Sequence, residues 1–305
     1  MIAGLIIKAT GSWYDVKLSD NRRIACRLPG KFRLSDDDFL NPAAVGDHVD
    51  VVLQGDNTGV IEHIRERRNQ LMRKATHGRR GIQVIAANVD RVAIIQSLRE
   101  PVLKTGFTDR ILAGCESCEI PAMIVINKMD LMKDKKDAEL VDELKSLYMD
   151  LGYSFHTASV FDHSSISQLK SHLEGSVSVF TGPSGSGKTS LLNMLSPGLQ
   201  LKTREISHFS NKGRHTTTFA QLIELGGSTY IADTPGIREF GPAGILPVDV
   251  SSCFPEMKSL RDMCRFGNCT HRHEPSCAVK KALEENQIAA SRYRSYLNII
   301  EGSEL

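Results

Sequence analysis

The stretch TGPSGSGKTS, residues 181–190, decides the fold. A strand-like run (SVSVF) precedes it, and helical spacing (SLLNML) follows it. The stretch fits the pattern G-x-x-x-x-G-K-[ST], in which glycines let backbone N–H groups converge on phosphate oxygens at the start of a helix. We therefore predict a phosphate-binding loop, formed by Gly182, Pro183, Ser184, Gly185, Ser186, Gly187, Lys188, Thr189 and Ser190. In this pattern Lys188 reaches the β- and γ-phosphates, and the Thr189 hydroxyl ligates Mg²⁺.

A second motif, NKMD at residues 127–130, predicts that the base is guanine. The Asp130 carboxylate can accept both the ring N–H and the exocyclic amino group of guanine, whereas adenine would leave it partly unpaired. Lys128 is expected to lie along the base and Asn127 to tie its loop to neighbouring loops. The motif directly follows the apolar run AMIVI, at the carboxyl end of a predicted parallel strand, where such sheets bind ligands. We therefore expect GTP and GDP as ligands.

Further short motifs complete the predicted site. The tripeptide Thr157, Ala158 and Ser159 offers groups to the base. In DTPG, residues 233–236, Asp233 is expected near Mg²⁺ and the Gly236 N–H near the γ-phosphate. Between the phosphate loop and DTPG lies GRHTTT, residues 213–218, from which Thr217 is favoured over Thr216 and Thr218 as the switch threonine. An earlier D-x-x-G, residues 56–59, lies in a predicted hairpin turn and is given no role.

The attacking water needs an orienting group, but the position after DTPG, where many small GTPases carry glutamine, is Ile237. An isoleucine cannot hydrogen-bond water, so we predict slow intrinsic hydrolysis. His215 is a candidate for positioning the water, although a surface histidine is an equal alternative. Arg214 could stabilise charge, with a solvated arginine the simpler interpretation.

The order of these motifs is unusual. A conventional GTPase runs from the phosphate loop through the switch threonine and D-x-x-G to N-K-x-D and the base tripeptide. Here N-K-x-D and the tripeptide come first, so the set is complete but cyclically shifted. Closing one pair of termini and opening another leaves a packed sheet nearly unchanged, because domain ends often lie close together.

Three regions with different sequence patterns predict a multidomain α/β protein. Residues 1–72 hold short alternating strands, which are typical of a small β-barrel. Residues 73–240 alternate β and α patterns, as expected for the permuted GTPase domain with a mostly parallel sheet. Residues 241–305 form a cysteine- and histidine-rich module that ends in helical patterns. The basic run at residues 65–80 is interpreted equally as a solvated linker or as a nucleic-acid contact.

The C-terminal region contains a candidate metal site, CRFGNCTHRHEPSC. Three thiolates and one imidazole suit tetrahedral Zn²⁺, and His273 could replace His271. The predicted ligands of one Zn²⁺ are Cys264, Cys269, His271 and Cys277. Cys115 and Cys118 also form C-x-x-C, but they lie on a helix-like segment with no second pair, so we interpret them as buried thiols.

The motif order and the cysteine spacing together resemble the circularly permuted ribosome-associated GTPases of the RsgA/YjeQ family, over essentially the whole chain. The resemblance implies an OB-fold at the N-terminus and His271 as the zinc ligand. It also implies binding to the small ribosomal subunit and its rRNA, a role in late maturation of that subunit, and GTPase activity that the subunit stimulates. GTP-dependent binding followed by hydrolysis and release is the expected cycle.

Bulk properties limit the remaining possibilities. The formal net charge of +2 gives no global attraction to nucleic acid, so any RNA binding must come from local patches. We expect a cytoplasmic protein with no membrane or DNA partner, which acts as a monomer. Seven cysteines in a reducing compartment favour metal binding or burial over disulfides. Two rival functions remain: an ATP-dependent kinase, which NKMD disfavours, and an RNA-binding module with a structural nucleotide.

Overall fold

The structure describes most of the chain in two compact units. In a computed structural model, the described residues are 1–33, 40–55, 57–74, 81–196, 198, 220–233 and 245–302. The first unit comprises Met1–Val92, Ile166–Thr181 and Lys188–Glu239, and the second comprises Ala93–Ser165, Gly182–Gly187 and Phe240–Leu305. Each unit combines stretches that are distant in the sequence. The boundaries predicted after residues 72 and 240 stay predictions.

The described elements alternate between strands and helices after an all-β beginning. The strands are β1 Ile2–Ala9, β2 Trp13–Leu18, β3 Arg23–Arg27, β4 His48–Leu53, β5 Thr58–Ile64, β6 Gln70–Lys74, β7 Ile82–Ala87, β8 Arg91–Ser97, β9 Ala122–Asn127, β10 Ser154–Thr157, β11 Val177–Thr181, β12 Ala220–Gly226 and β13 Thr229–Asp233. The helices are α1 Thr105–Ser117, α2 Lys135–Asp150, α3 His163–Leu173, α4 Lys188–Leu195, α5 Pro255–Lys258, α6 Ala278–Glu284 and α7 Ala290–Glu301.

The first five strands of the first unit close into a barrel. Antiparallel pairs join β1 to β2, β2 to β3, β4 to β5 and β1 to β4, while β3 and β5 run parallel. Burial alternates along β2 and β3, so that Val16 and Ile24 point inward together with Ile6, Val49 and Ile61. This period of two is what a closed sheet with a filled interior requires, and it confirms the predicted N-terminal barrel.

The same unit continues from the barrel into a further sheet. Strand β1 pairs antiparallel with β12, through Lys8 opposite Gln221 and Ala9 opposite Ala220. The strand order is β11-β13-β12-β1, with β11 and β13 parallel and β12 and β13 antiparallel. No sequence pattern predicted β12, the strand that makes this junction.

The basic run at residues 65–80 is not a plain linker. Its described part contains β6, which pairs antiparallel with β7. Three of its arginines bind carboxylates: Arg65 contacts Asp50, Arg67 contacts the buried Asp47, and Arg68 contacts Asp90. The side chains of Arg65 and Arg68 remain 49% and 60% exposed in these pairs. Residues 70–74 therefore form a paired strand and not a plain linker, and the nucleic-acid interpretation of the run stays a prediction.

The second unit contains the strands that carry the base motifs. Strands β8, β9 and β10 lie in the order β10-β9-β8, and β9 and β10 are parallel. Strands β8 and β9 are buried along almost their whole length, as expected for parallel strands that are covered on both faces. Helix α2 begins where the Asp134 carboxylate accepts a hydrogen bond from the Asp137 N–H, and Gly152 follows it with a φ of +89°.

The C-terminal part of the second unit forms its own small core. Phe254, Met257, Val279 and Tyr296 are buried there, and Ala113 of α1 belongs to the same cluster. Helix α7 thus packs its apolar side toward α1. Among the helices of the described ranges, none has the length and apolar character needed to cross a membrane.

Candidate nucleotide-binding site and metal centre

The loop between β11 and α4 has a backbone that only glycine suits at two positions. Gly182 and Gly187 have φ angles of +151° and +92°. A Cβ on Gly187 would lie 2.2 Å from Asn127 Nδ2, and one on Gly182 would lie 2.0 Å from the Ile95 carbonyl oxygen. Both glycines are therefore required by backbone conformation and by close contact.

The structure brings the phosphate loop and the base motif together. Asn127 ends β9, and its Nδ2 donates a hydrogen bond of 2.9 Å to the Ser186 carbonyl, 59 positions away along the chain. Asn127 is buried, and its Oδ1 has no hydrogen-bond partner among the described residues. The same holds for the buried Ser186 Oγ. Unpaired buried polar atoms of this kind are expected where a polar ligand completes the site.

The rest of the base motif is held by two neighbouring loops. Lys128 has a left-handed φ of +59°, and its Nζ donates to the Glu100 carbonyl oxygen. The Ser159 hydroxyl donates to Asp130 Oδ1 at 2.5 Å, and the Met129 N–H donates to the Ala158 carbonyl at 3.2 Å. The two motifs at 127–130 and 157–159 therefore form one constellation.

Two features of this constellation were not identified from the sequence. One is the loop after β8, whose Glu100 carbonyl receives Lys128 and whose Pro101 Cδ would lie 3.6 Å from a Cβ on Gly185. The other is the role of Ser159 as a hydrogen-bond donor to Asp130. The first involves a backbone carbonyl, for which the sequence carries no signal. The serine hydroxyl, a strong donor to carboxylates, was the signal for the second.

The structure describes some of the remaining predicted site residues but not others. Lys188, Thr189 and Ser190 form the first turn of α4, where Thr189 is buried. The backbone of Asp233 pairs with Gln221 at the end of β13. His215, Thr217 and Gly236 lie outside the described residues, as do Arg214 and Ile237. Thr157 ends β10, and the Ala158 N–H donates to the Ile126 carbonyl.

The predicted metal ligands converge in the second unit. One ligand atom from each of Cys264, Cys269, His271 and Cys277 lies within 4.8 Å of the others. His271 Nδ1 lies 3.4 Å from the Cys277 sulfur and 3.6 Å from the Cys264 sulfur, and the two sulfurs are 3.9 Å apart. Tetrahedral zinc with ordinary bond lengths requires N···S edges of about 3.5 Å and S···S edges of about 3.8 Å. The donor set therefore fits Zn²⁺ in both chemistry and size.

The structure also decides which histidine and which ring nitrogen face the cluster. His271 Nε2 lies 3.1 Å from Ser251 Oγ, which leaves Nδ1 for the metal. His273 is not in the cluster, and its backbone N–H donates to the Glu274 carboxylate instead. Burial lowers the pKa of His271, so its imidazole stays neutral, as a metal ligand must be.

Side chains around the cluster hold its loop in shape. Tyr293 donates to the His271 carbonyl at 2.6 Å, and Tyr296 donates to the Thr270 carbonyl at 2.7 Å. Burial raises the pKa of Glu274, but hydrogen bonds from Thr270 and nearby backbone N–H groups outweigh this and lower it to about 2. The charged carboxylate therefore organises the turn that contains the histidine.

The C-x-x-C pair on α1 lies apart from this cluster. Cys115 is fully buried, and burial raises its pKa well above that of an ordinary thiol. Cys118 is half-buried at the end of the helix. Neither Cys115 nor Cys118 belongs to a group of metal-ligating side chains among the described residues, and a thiol with a raised pKa is a poor nucleophile. The prediction of a buried thiol is therefore confirmed for Cys115, whereas Cys118 is only half-buried.

A buried ionic cluster joins the C-terminal helix to α1. Arg292 is 1% exposed, and its guanidinium donates to Asp109 on α1 at 2.7 Å and to Glu256 on α5 at 2.7 Å. Ser295 and Tyr148 also donate to Asp109. Both carboxylates are thus compensated, as buried charges must be. This ionic cluster therefore fixes the C-terminal module to α1, the helix that follows the loop of Glu100 in the chain.

Comparisons with known proteins agree with this geometry. The RsgA GTPase family profile matches residues 64–243, and the RsgA N-terminal domain profile matches residues 3–61. The protein named small ribosomal subunit biogenesis GTPase RsgA from Bacteroides fragilis is 40% identical over 301 residues, covering 99% of this chain and 97% of that relative. The protein of the same name from Flavobacterium johnsoniae is 41% identical over 307 residues, covering 99% and 94%.

Two solved structures share the fold. The crystal structure of YjeQ from Thermotoga maritima matches with a TM-score of 0.80 and 34% identity, covering 99% of this chain and 98% of that one. The structure of YloQ, described as a circularly permuted GTPase, matches with a TM-score of 0.76 and 29% identity, covering 99% and 94%. The cyclic shift of motifs inferred from the sequence therefore has a structural counterpart.

Proposed function

The chain belongs to the RsgA family of GTPases, and from that premise we propose that it hydrolyses GTP while it assists late maturation of the small ribosomal subunit. The observation that carries the proposal is the hydrogen bond from Asn127 Nδ2 to the Ser186 carbonyl. It joins the motif that selects the base to the loop that binds phosphates. A kinase that uses ATP has no need for a carboxylate in the place of Asp130.

The base is selected by the loops at residues 127–130 and 157–159. Asp130 accepts the two adjacent N–H donors of guanine, and Ser159 holds the carboxylate in the orientation that this requires. Lys128, whose Nζ contacts the Glu100 carbonyl, lies along the base. Asn127 fixes this loop to the phosphate loop, so a displacement of one motif displaces the other.

The phosphates are held by the backbone N–H groups of residues 182–187 and by Lys188. Mg²⁺, when bound, neutralises charge that develops on the phosphate oxygens. In this proposal the Thr189 and Thr217 hydroxyls ligate the ion, Asp233 approaches it through water, and the Gly236 N–H contacts the γ-phosphate. His215 positions the attacking water. Because Ile237 cannot do so, hydrolysis is slow until the ribosomal subunit completes the site.

The metal cluster serves the C-terminal module as a structural site. All four ligand positions are supplied by protein, which leaves no open position for a substrate. A zinc ion held by Cys264, Cys269, His271 and Cys277 would fix the loop at residues 264–277. This loop has few apolar side chains that could stabilise it without a metal. The partners in this proposal are the small subunit and its rRNA, the protein acts as a monomer, and the compartment is the cytoplasm.

GTP hydrolysis with and without purified small ribosomal subunits tests the proposal. We expect slow release of phosphate by the protein alone and a much faster rate when subunits are added. We also expect the GTP-bound form to bind subunits more tightly than the GDP-bound form. Competition by ATP should be weak. A rate that subunits do not change, together with equal binding of both nucleotide forms, would overturn the proposal.

A Lys188→Ala variant separates the main rival. If that protein bound subunits and left them as the wild type does, the nucleotide would be only structural. The proposal requires instead that the variant loses nucleotide-dependent binding, while its barrel and C-terminal module keep their folds.

A further inference from the structure

The loop between β8 and α1, residues 98–104, is anchored where it joins both elements. The Gln96 side chain near the end of β8 is fully buried. Its Nε2 donates to the Lys104 carbonyl at 2.8 Å and to the Thr108 hydroxyl at 3.0 Å. These two bonds tie the end of β8 to the first turn of α1. The loop between them therefore has little freedom to move, and it can serve as a fixed support for neighbouring segments.

Two consecutive residues of this loop contact the segment that contains the base motif. The Glu100 carbonyl accepts a hydrogen bond from Lys128 Nζ. Arg99 donates from Nε and Nη2 to the two carboxylate oxygens of Asp137, each at 2.9 Å. The side chains of this ion pair are 33% and 13% exposed, so solvent screens it less than an ordinary surface pair. Two parallel bonds between a guanidinium and a carboxylate also fix their relative orientation.

The Asp137 carboxylate extends the contact of Arg99 to the turn that follows the base motif. It accepts the Lys133 N–H at 2.8 Å, and the Asp137 N–H in turn donates to the Asp134 carboxylate at 3.1 Å. The bond from the Lys133 backbone and the bonds from Arg99 lower the pKa of Asp137, although desolvation opposes them. Asp137 is therefore charged at neutral pH, and Arg99 holds this turn through it.

The segment at residues 128–137 depends on these polar contacts for its position. None of the residues Met129–Leu131 is buried, so packing into the core does not hold the short helical turn that contains Asp130. The loop after β8 supports the segment at both ends instead. Glu100 contacts its first residue, and Arg99 contacts its last. Removal of either contact would leave the turn fixed on one side only.

Recognition of guanine by a carboxylate tolerates little displacement, because two adjacent N–H groups must meet the two oxygens at the same time. We infer that Arg99 is a positioning residue for guanine recognition, which acts through Asp137 to keep the Asp130 carboxylate facing both donors. The inference rests on the proposed function, in which GTP and GDP are ligands. It adds to the site a residue that belongs to none of the nucleotide motifs.

Binding of GDP and of inosine diphosphate (IDP) to an Arg99→Ala variant tests the inference. Hypoxanthine lacks the exocyclic amino group, so Asp130 accepts two bonds from GDP and one from IDP. The wild type should therefore bind GDP roughly ten- to a hundredfold more tightly than IDP. We expect Arg99→Ala to weaken GDP binding by roughly tenfold and IDP binding much less. Displacement of a fluorescent GDP analogue from the full-length protein measures both affinities.

The ratio of the two affinities separates positioning from a loss of folded protein. A variant that was merely less stable would bind both nucleotides more weakly and keep the wild-type ratio. Arg99→Lys keeps the charge but not the planar pair of donors, and should give an intermediate ratio. Lys135→Ala is the matched control, because it breaks an exposed ion pair with Glu139 on the same helix as Asp137. It should leave both affinities unchanged.

A double variant tests whether Arg99 acts through Asp137. Asp137→Asn keeps an oxygen for the Lys133 N–H but loses the charge that Arg99 binds. This variant should lower the ratio as Arg99→Ala does, and the two changes together should have no more effect than either one. If Arg99→Ala does not fold, Asp137→Asn supplies the ratio, since it removes the same ion pair.

The outcomes keep this inference distinct from the proposed function. A wild type that prefers GDP to ADP, with a wild-type ratio in Arg99→Ala or in Asp137→Asn, would refute the positioning role and leave the proposed function standing. Fully additive effects of the two changes would likewise refute it, because Arg99 would then act by another route. A wild type that binds ADP as tightly as GDP would overturn the proposed function, and this inference with it.

Discussion

Gly187 tests the contact between the two nucleotide motifs most locally. A methyl group at this position would lie 2.2 Å from Asn127 Nδ2, well inside the contact distance. We therefore expect Gly187→Ala to push Asn127 away from Ser186 and to weaken GDP binding by roughly a hundredfold, as overpacking at a rigid contact does. Titration with a fluorescent GDP analogue measures this effect.

Gly175→Ala is the matched control. Gly175 also has a positive φ, +67°, but a Cβ there would have no neighbour within 4 Å. This variant bears the backbone strain without the clash, so its GDP affinity should match that of the wild type. Equal losses in both variants would mean that strain, and not the contact with Asn127, explains the result.

The sequence predicts which residues form the candidate site, but it does not predict the contacts that hold them in place. Asn127 was expected to tie its loop to neighbouring loops, and both the base motif and the phosphate loop follow predicted parallel strands, whose carboxyl ends share one edge. The contact from Lys128 to Glu100 involves a backbone carbonyl, which any residue could supply. No pattern of side chains could therefore reveal it. His271 was left open against His273 because spacing alone does not say which ring points inward.

Arg292 is the residue on which the packing of α7 against α1 depends. Its guanidinium compensates Asp109 and Glu256 in a buried setting, with exposures of 0% and 8% for the two carboxylate side chains. Arg292→Met would leave both carboxylates without their cation. We expect the free energy of unfolding of the C-terminal module to fall by about 3–5 kcal/mol. Chemical denaturation followed by circular dichroism measures the change.

Arg294→Met serves as its control, because Arg294 is exposed on the same helix. The substitution changes helix propensity and net charge in the same way, and should alter stability by less than about 0.5 kcal/mol. If the two variants were equally stable, the ionic cluster would not be what holds the helix.

Glu224 of β12 forms ion pairs with Lys17 and Arg23 of the barrel, and these pairs lead to a prediction about stability and pH. The hydrogen bond from Lys17 is the main cause that lowers the pKa of Glu224 below its ordinary value of 4.5. Because its pKa is lower in the folded state, the charged Glu224 carboxylate stabilises the fold fully above pH 4.5. This stabilisation is lost as the pH falls through the lowered folded-state pKa. We expect Glu224→Gln to reduce stability by up to about 1 kcal/mol at pH 7, since the pair is partly exposed.

Melting temperatures of the wild type and of Glu224→Gln, taken between pH 7 and pH 3, check this prediction. The two curves should converge at the acidic end. Glu139→Gln, on an exposed i,i+4 pair of α2, should follow the wild type throughout. A gap between wild type and Glu224→Gln that stays constant with pH would exclude the ion pair as its cause.

Metal removal tests the cluster at residues 264–277. Each chain should contain one zinc ion, and a strong chelator should lower the helical signal from α6 and α7, because the ligands anchor the loop before α6. Cys264→Ser should lose the zinc, measured by elemental analysis, while Cys118→Ser should keep it. Retention of zinc by Cys264→Ser, or loss of it by Cys118→Ser, would contradict the assigned ligand set.

Elements were predictable where their patterns were local. The alternation in β2 and β3 and the helix that ends before Gly152 follow from periodicities of two and 3.6 residues. Strand β12 was missed, because its pairing with β1 joins residues more than 200 positions apart and edge pairing has no sequence signature. The burial of Arg292 was also missed, since a charged residue on an amphipathic helix ordinarily faces solvent.

Across the chain, the cyclic order of motifs has a consequence for how the parts are connected. The DTPG segment continues directly into the C-terminal module, and the segment that carries Thr217 continues into β12, which pairs with the barrel. In the proposed function, both segments respond to the γ-phosphate. The C-terminal module is therefore linked through the chain to one segment that responds to the γ-phosphate. The barrel is linked to the other through the pairing of β1 with β12. The sequence predicted the first link from motif order alone, whereas the second needed the structure.

The base specificity of an Asp130→Asn variant tests most directly that two remote motifs form one guanosine pocket. Xanthine carries a carbonyl where guanine carries its amino group, so an amide that can donate matches xanthine better than a carboxylate does. We predict that the variant binds xanthosine diphosphate (XDP) about a hundredfold or more tightly than GDP, which reverses the wild-type order of affinities. We also predict that adding Gly187→Ala weakens binding of both nucleotides by roughly a further hundredfold. An Asp130→Asn protein that still preferred GDP, or a double variant that still bound XDP tightly, would show that the two motifs do not share a pocket.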